Sequence, residues 1–144
     1  MLVFDTNILV YAVNEASDFH EASQRTLERA RLDPSPAYLT WSVCYEFLRT
    51  TTHPRLLETP LSPRRASEYI EELLTPPGFG LLVATERHMD ILARTIEEFP
   101  DMRANGMHDL HTVVLMREHG ISRICTLDSG FRRYPFLKIV EPGA

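Results

Sequence analysis

Cysteine is scarce in this sequence: the only two, Cys44 and Cys125, lie far apart within apolar runs. A disulfide framework needs several cysteines at short spacing, and a zinc knuckle needs paired CxxC units, so both are excluded and buried reduced thiols are expected. Long hydrophobic runs are missing as well; none approaches the roughly 18 residues of a membrane span. The stretch Met1–Val13 is apolar but has no basic flank and carries Asp5 in its middle, unlike a secretory leader. A soluble protein of the cytoplasm, with no membrane partner, is the expectation. There is no GxGxxG and no GxxxxGK[ST], which removes dinucleotide and P-loop chemistry. Lysine is nearly absent, with Lys138 alone against fourteen arginines. A phosphoacceptor receiver domain needs a lysine beside its acids, and here that lysine stands at the far end of the chain.

Positive charge is also in deficit. Net charge is −5, which argues against holding nucleic acid mainly through a broad basic face. The arginine excess has two readings, bidentate recognition of phosphates or carboxylates and the codon bias of a GC-rich genome. What is present is ordinary for a globular domain: 144 residues, 44% hydrophobic and 24% charged, without repeats or low-complexity tracts. One domain spanning 1–144 is expected.

The pattern along the chain alternates. Leu2–Phe4 reads as a short buried strand ending at Asp5, and Thr6–Val13 continues with helical spacing. An amphipathic helix is expected over Asp18–Leu32, a strand over Ala37–Trp41, and a helix from an Ser42 N-cap to about Thr52. Ser62-Pro63 caps a helix over 64–74; Gly80–Ala84 reads as a strand and 86–99 as a helix ended by Pro100. Gly106–His119 is helical with Gly120 following, and Ser122–Thr126 and Lys138–Val140 are strands. This order predicts an α/β fold: a mainly parallel central sheet of about five strands with helices on both faces. Ligands of such sheets sit at the carboxyl ends of the strands.

Carboxylates stand where that rule points. Asp5 closes the first strand, and Asp128 follows the fourth after Ile124-Cys125-Thr126-Leu127. Glu46 is embedded in Val43-Cys44-Tyr45-Glu46-Phe47-Leu48, and Asp109 lies in the first turn of the helix that begins at Gly106. Each has a plain structural role available. Asp5 can cap the following helix, Asp109 can complement a helix dipole, Asp128 can serve a turn, and Glu46 can pair with Arg49 one turn on. Converging, the four would repel one another unless a cation joined them, and an all-oxygen set selects Mg²⁺ or Mn²⁺. Such an ion activates water and stabilises a phosphodiester in transition. His108 and His111, spaced i, i+3, fit a zinc helix poorly, since such sites prefer i, i+4 and a third ligand.

The flanks make the pattern specific. Asp5-Thr6-Asn7 after the first strand, Glu46 in Trp41–Phe47, Asn105-x-x-x-Asp109 at a helix start, and Thr126-Leu127-Asp128 before Ser129-Gly130-Phe131 together resemble PIN-domain nucleases over essentially the whole chain. Within that family, Phe47–Arg55 followed by Pro60-Leu61-Ser62, and the ending Asp128-x-x-Phe131-Arg132-Arg133-Tyr134-Pro135, resemble VapC toxins of bacterial toxin–antitoxin pairs. The resemblance implies a single PIN-like domain whose Asp5, Glu46, Asp109 and Asp128 are the catalytic, metal-binding acids for Mg²⁺ or Mn²⁺. Thr6, Asn7 and Thr126 would support them, and Arg49, Arg55, Arg87 and His111 are candidate RNA contacts, His111 also standing near the water at the metal. The activity implied is an endoribonuclease that cleaves RNA, with tRNA or another structured RNA as substrate. A cognate antitoxin would block the acidic pocket by inserting an arginine, and a homodimer is expected. The alternatives are a catalytically weak PIN-like module that binds RNA or a partner, and a metal-dependent phosphatase or DNA nuclease. Gly130 stands where many relatives carry a further acid, so one metal or two stays open.

Overall fold

The computed structural model describes residues 1–144. Five short strands form one sheet: β1 (Leu2–Phe4), β2 (Ala37–Thr40), β3 (Gly80–Leu82), β4 (Arg123–Cys125) and β5 (Lys138–Val140). All neighbours are parallel, in the order β3-β2-β1-β4-β5. Six helices connect them: α1 (Thr6–Val13), α2 (His20–Leu32), α3 (Trp41–Thr51), α4 (Pro63–Leu74), α5 (His88–Glu98) and α6 (Gly106–Glu118), with a 3₁₀ turn over Ser129–Arg133. No helix is long and apolar enough to cross a membrane.

The period-two geometry of a strand divides the core in two. Phe4, Ala37, Leu39 and Cys125 join the side chains of α1 to α4 on one face, including Ile8, Phe47 and Ile70. Val3, Leu82 and Ile124 join those of α6, including Leu110, Val113 and Val114, on the other, where Phe131 and Tyr134 are also anchored. Sheet register is thereby tied to which face each residue buries: Val3 stands opposite Ile124 and Phe4 opposite Cys125. Both cysteines are free and buried, and burial pushes their thiols up to about 11 for Cys44 and about 12 for Cys125.

Several boundaries differ from the sequence expectation: α2 starts at His20, β3 ends at Leu82, β4 spans only Arg123–Cys125, and two further shifts have a visible cause. Trp41 belongs to α3 rather than to the preceding strand, because the N-cap is Thr40, whose hydroxyl accepts from the Val43 amide at 3.2 Å. Ser42 is thereby left for a different bond, described below. α5 begins at His88 instead of Glu86, because the Thr85 amide and hydroxyl both donate to the Glu118 carboxylate, at 2.8 and 2.7 Å, and hold that segment off the helix axis. Asp128 is followed by a 3₁₀ turn, with Asp128 Oδ1 accepting from the Gly130 amide at 2.8 Å.

Candidate active site

Strand order reverses at β1: the chain moves outward through β2 and β3, then returns to place β4 on the other side. A crevice opens at the carboxyl end of the strand where the order switches, and Asp5 is the residue that follows β1 there. Its backbone amide still donates to Cys125 O at 3.0 Å, so the sheet fixes its position. Its carboxylate accepts three bonds: from the Thr6 amide (2.7 Å), the Asn7 side-chain amide (3.1 Å) and the Thr126 hydroxyl (2.7 Å). Asp5 therefore caps α1 and faces the crevice at once. Thr126 is fully buried and links two acids, since its hydroxyl also accepts from the Asp128 amide at 2.9 Å. Asn7 completes the brace, its amide nitrogen also donating to Thr126 Oγ1 at 3.2 Å.

The other three acids reach the same cleft from different elements. Glu46 comes from the second turn of α3, Asp109 from the first turn of α6, and Asp128 from the loop after β4; all line one pocket with Asp5, Thr6 and Asn7. Asp109 and Asp128 bracket Gly130, where a Cβ would lie 3.1 Å from Asp128 Oδ1 and 3.8 Å from Asp109 Oδ2. Glycine at this position keeps the space between the two carboxylates open, and any side chain here would crowd Asp128.

Charge accumulates in this cleft. Burial pushes the Asp109 carboxyl up to about 7, reinforced by the negative charges of Asp5, Asp128 and Glu46. Burial also raises Asp5, against the lowering effect of its bonds from Thr126 and Thr6. Glu46 behaves differently. Arg49 grips it with two bonds, Nη2 to Oε1 at 2.6 Å and Nε to Oε2 at 3.1 Å, and this holds its carboxyl below the usual range. The helical i, i+3 pair that the sequence allows is therefore formed. No three His, Cys, Asp or Glu side chains converge closely enough to hold an ion. The donor set nevertheless fits a hard divalent cation: four carboxylates, no sulfur, and an Asp109 that burial first, and the neighbouring carboxylates second, keep half-protonated near neutrality.

The candidate RNA contacts separate into two groups. Arg49 lines the cleft; Arg55, Arg87 and His111 do not. Arg55 sits on the exposed loop after α3. Arg87 donates to the backbone carbonyl of Glu118, which draws it across to the end of α6. His111 turns away from the acids, bonding Ser42 Oγ through Nδ1 at 2.8 Å and meeting the His88 ring edge-on. It thus ties α6 to α3 instead of standing beside the water at a metal, and it parts from His108, which does line the cleft. Two cleft arginines, Arg103 and Arg133, were not among the sequence candidates. Arg133 lay within the quoted toxin-like ending, and its position as the last residue of the 3₁₀ turn is what distinguishes it from Arg132.

Four carboxylates delivered by separate elements to the switch point of a parallel sheet define an α/β domain with an acidic cleft of the kind PIN domains carry. Residues 2–137 match the PIN domain family. The chain is 35% identical over 139 residues to Ribonuclease VapC48 of Mycobacterium tuberculosis, covering 96% of this chain and 95% of the relative. It is 33% identical over 144 residues to Ribonuclease VapC37 of the same organism, covering 100% and 99%. The fold is shared with crystal structures of M. tuberculosis VapC20, described as a Sarcin-Ricin loop cleaving toxin (TM-score 0.66, 16% identity, 95% and 97% covered), and of FitAcB from Neisseria gonorrhoeae (TM-score 0.66, 17% identity, 99% and 98% covered). The chain belongs to the PIN domain family, within its VapC-type group.

Proposed function

We propose that this protein is a metal-dependent endoribonuclease of the VapC toxin type, cleaving tRNA or another structured RNA and restrained by a cognate antitoxin. The observation that carries the reading is the convergence of Asp5, Glu46, Asp109 and Asp128 on one cleft, with Asp109 raised to about 7 by burial and by the other three. A carboxylate set of that repulsion suits Mg²⁺ or Mn²⁺, which when bound supplies Lewis acidity and an activated water for phosphodiester hydrolysis.

This chain's own residues account for the rest. Thr126 and Asn7 hold Asp5 in one orientation, so one oxygen is committed to them and the other to the Thr6 amide. Gly130 keeps a side chain out of the space beside Asp128 and Asp109. Glu46 joins the set when Arg49 releases it. The names of the curated relatives, all ribonucleases, support RNA as substrate. Toxin–antitoxin complexes among the structures of the same fold support an antitoxin partner, and a homodimer goes with this reading.

One observation favours the alternative of a catalytically weak, partner-binding module: the two-bond grip of Arg49 on Glu46. The experiment that separates the readings incubates the purified protein with total tRNA and with single-stranded DNA, in Mg²⁺ or Mn²⁺ and in EDTA. Cleavage of RNA that stops in EDTA is expected. RNA cleavage that persists in EDTA refutes the metal site, cleavage of DNA alone refutes the RNA assignment, and cleavage of neither polymer selects the binding module.

A further inference from the structure

The cleft floor is acidic, and a polyanionic substrate must still be gripped there. Three guanidinium groups line it, those of Arg49, Arg103 and Arg133. Two have commitments within the protein. Arg49 is held by Glu46. Arg103 donates to the carbonyls of Pro100 and Met102, at 2.7 and 3.0 Å, which folds it back on its own loop. Arg133 makes no side-chain hydrogen bond and no ion pair in the structure.

The local fold explains why this arginine, and not its neighbour, faces the acids. The 3₁₀ turn is pinned at its start by the Asp128–Gly130 bond and buries Phe131 and Tyr134 as anchors. Between these anchors the two arginines diverge. Arg132 leans toward Glu141, 3.8 Å away. Arg133 lies across the start of α6, its Nη1 3.2 Å from where a Cβ on Gly106 would stand. Gly106 thus provides the surface on which the guanidinium rests, one turn from Asp109. The positive charge of Arg133 is felt by Asp109, whose raised carboxyl it partly draws back down.

We propose that Arg133 is the phosphate-gripping residue of the cleft, presenting its open planar fork to a backbone phosphate of single-stranded RNA bordering the Asp109–Asp128 pair. A guanidinium offers two parallel donors to a phosphate, and this geometry is not available to lysine. The assignment rests on the ribonuclease reading and deepens it by naming a substrate contact.

The test measures binding of a short fluorescein-labelled single-stranded RNA by anisotropy across a salt series, with every protein carrying Asp109→Asn so that RNA is bound without being cut. In that background, Arg133→Ala is expected to weaken binding about tenfold and to reduce the slope of log K against log salt by about 0.7, the value for one lost phosphate contact on a single strand. Arg133→Lys is expected to restore the slope and only part of the affinity. Arg132→Ala, the neighbouring control, should match the parent on both counts. RNA binding by the parent that Arg133→Ala leaves unchanged, in affinity and in slope, overturns the assignment alone. A parent that fails to bind RNA, with wild-type protein that fails to cut it, overturns the ribonuclease reading and this assignment with it.

Discussion

Replacing Asp109 by Asn should make the metal-free protein more stable, although it removes a charged group from the centre of the site. The Asp109 carboxyl rises from an ordinary 3.8 to about 7 on folding, through burial first and then through Asp5, Asp128 and Glu46. Such a rise corresponds to about 4 kcal/mol at full strength, and because the side chain is only half-buried, solvent screening brings the expected effect down to about 1–2 kcal/mol. The sign follows from proton uptake. Between pH 4 and 7 the folded state holds a proton on Asp109 that the unfolded chain has released, so stability falls as pH rises through this window and is flat above it. Asparagine keeps the shape, has no proton to lose, and forfeits no hydrogen bond, since Asp109 makes none through its carboxylate. At pH 8 in EDTA the Asn variant should therefore melt about 3–6 °C above wild type, and the gap should shrink toward pH 5. Saturating Mg²⁺ should reverse the ranking, because an ion bound only by the folded state stabilises wild type by mass action. Thermal melts followed by circular dichroism across pH, with and without chelator, decide the matter. A variant that melts at or below wild type at pH 8 in EDTA refutes the claim that these carboxylates strain the metal-free cleft.

Two further substitutions probe the supports of the site. Thr126→Val deletes a fully buried hydroxyl that donates to Asp5 and accepts from Asn7 and the Asp128 amide; urea unfolding should show a loss of about 1–3 kcal/mol, and an unchanged midpoint would show that the brace contributes nothing. Arg49→Ala releases Glu46 from a pair whose arginine is largely exposed, so Mn²⁺ titration by calorimetry should show affinity improved about two- to fivefold, whereas equal or weaker binding would show that the pair does not compete with the ion.

The sheet and its helices were readable because the strands are short and largely apolar, the first three are each followed by a helix, and the elements carry their own punctuation: Asp5 after Leu2–Phe4, Ser62-Pro63 before α4, and Gly120 after α6 with φ +66°. The gathering of the four acids was readable for the same reason, since the carboxyl ends of a parallel sheet share one edge. Harder to read were features that depend on partners distant in sequence. α5 starts late because Thr85 answers to Glu118, 33 positions away, and no local signal announces that bond. His111 was a candidate for RNA contact and for a place near the water at the metal, yet the hydroxyl it meets, on Ser42, is 69 positions back. Arg132 and Arg133 are indistinguishable in sequence; burial of Phe131 and Tyr134 on either side decides which of them faces the cleft. Glu46 shows the converse case, where the local helical partner Arg49 was visible and does form.

As proposed, four carboxylates from four elements act as one cation-dependent unit on RNA. Their joint action is read from the Mg²⁺-dependent cleavage rate of a labelled structured RNA by wild type, by Asp5→Asn, Glu46→Gln, Asp109→Asn and Asp128→Asn, and by the Asp5→Asn/Asp109→Asn double variant. Each single change should lower the rate on the order of a hundredfold or more, and the double variant should lose little beyond the worse single, as residues acting together do. Cleavage at the wild-type rate by any two of the single variants would contradict the account.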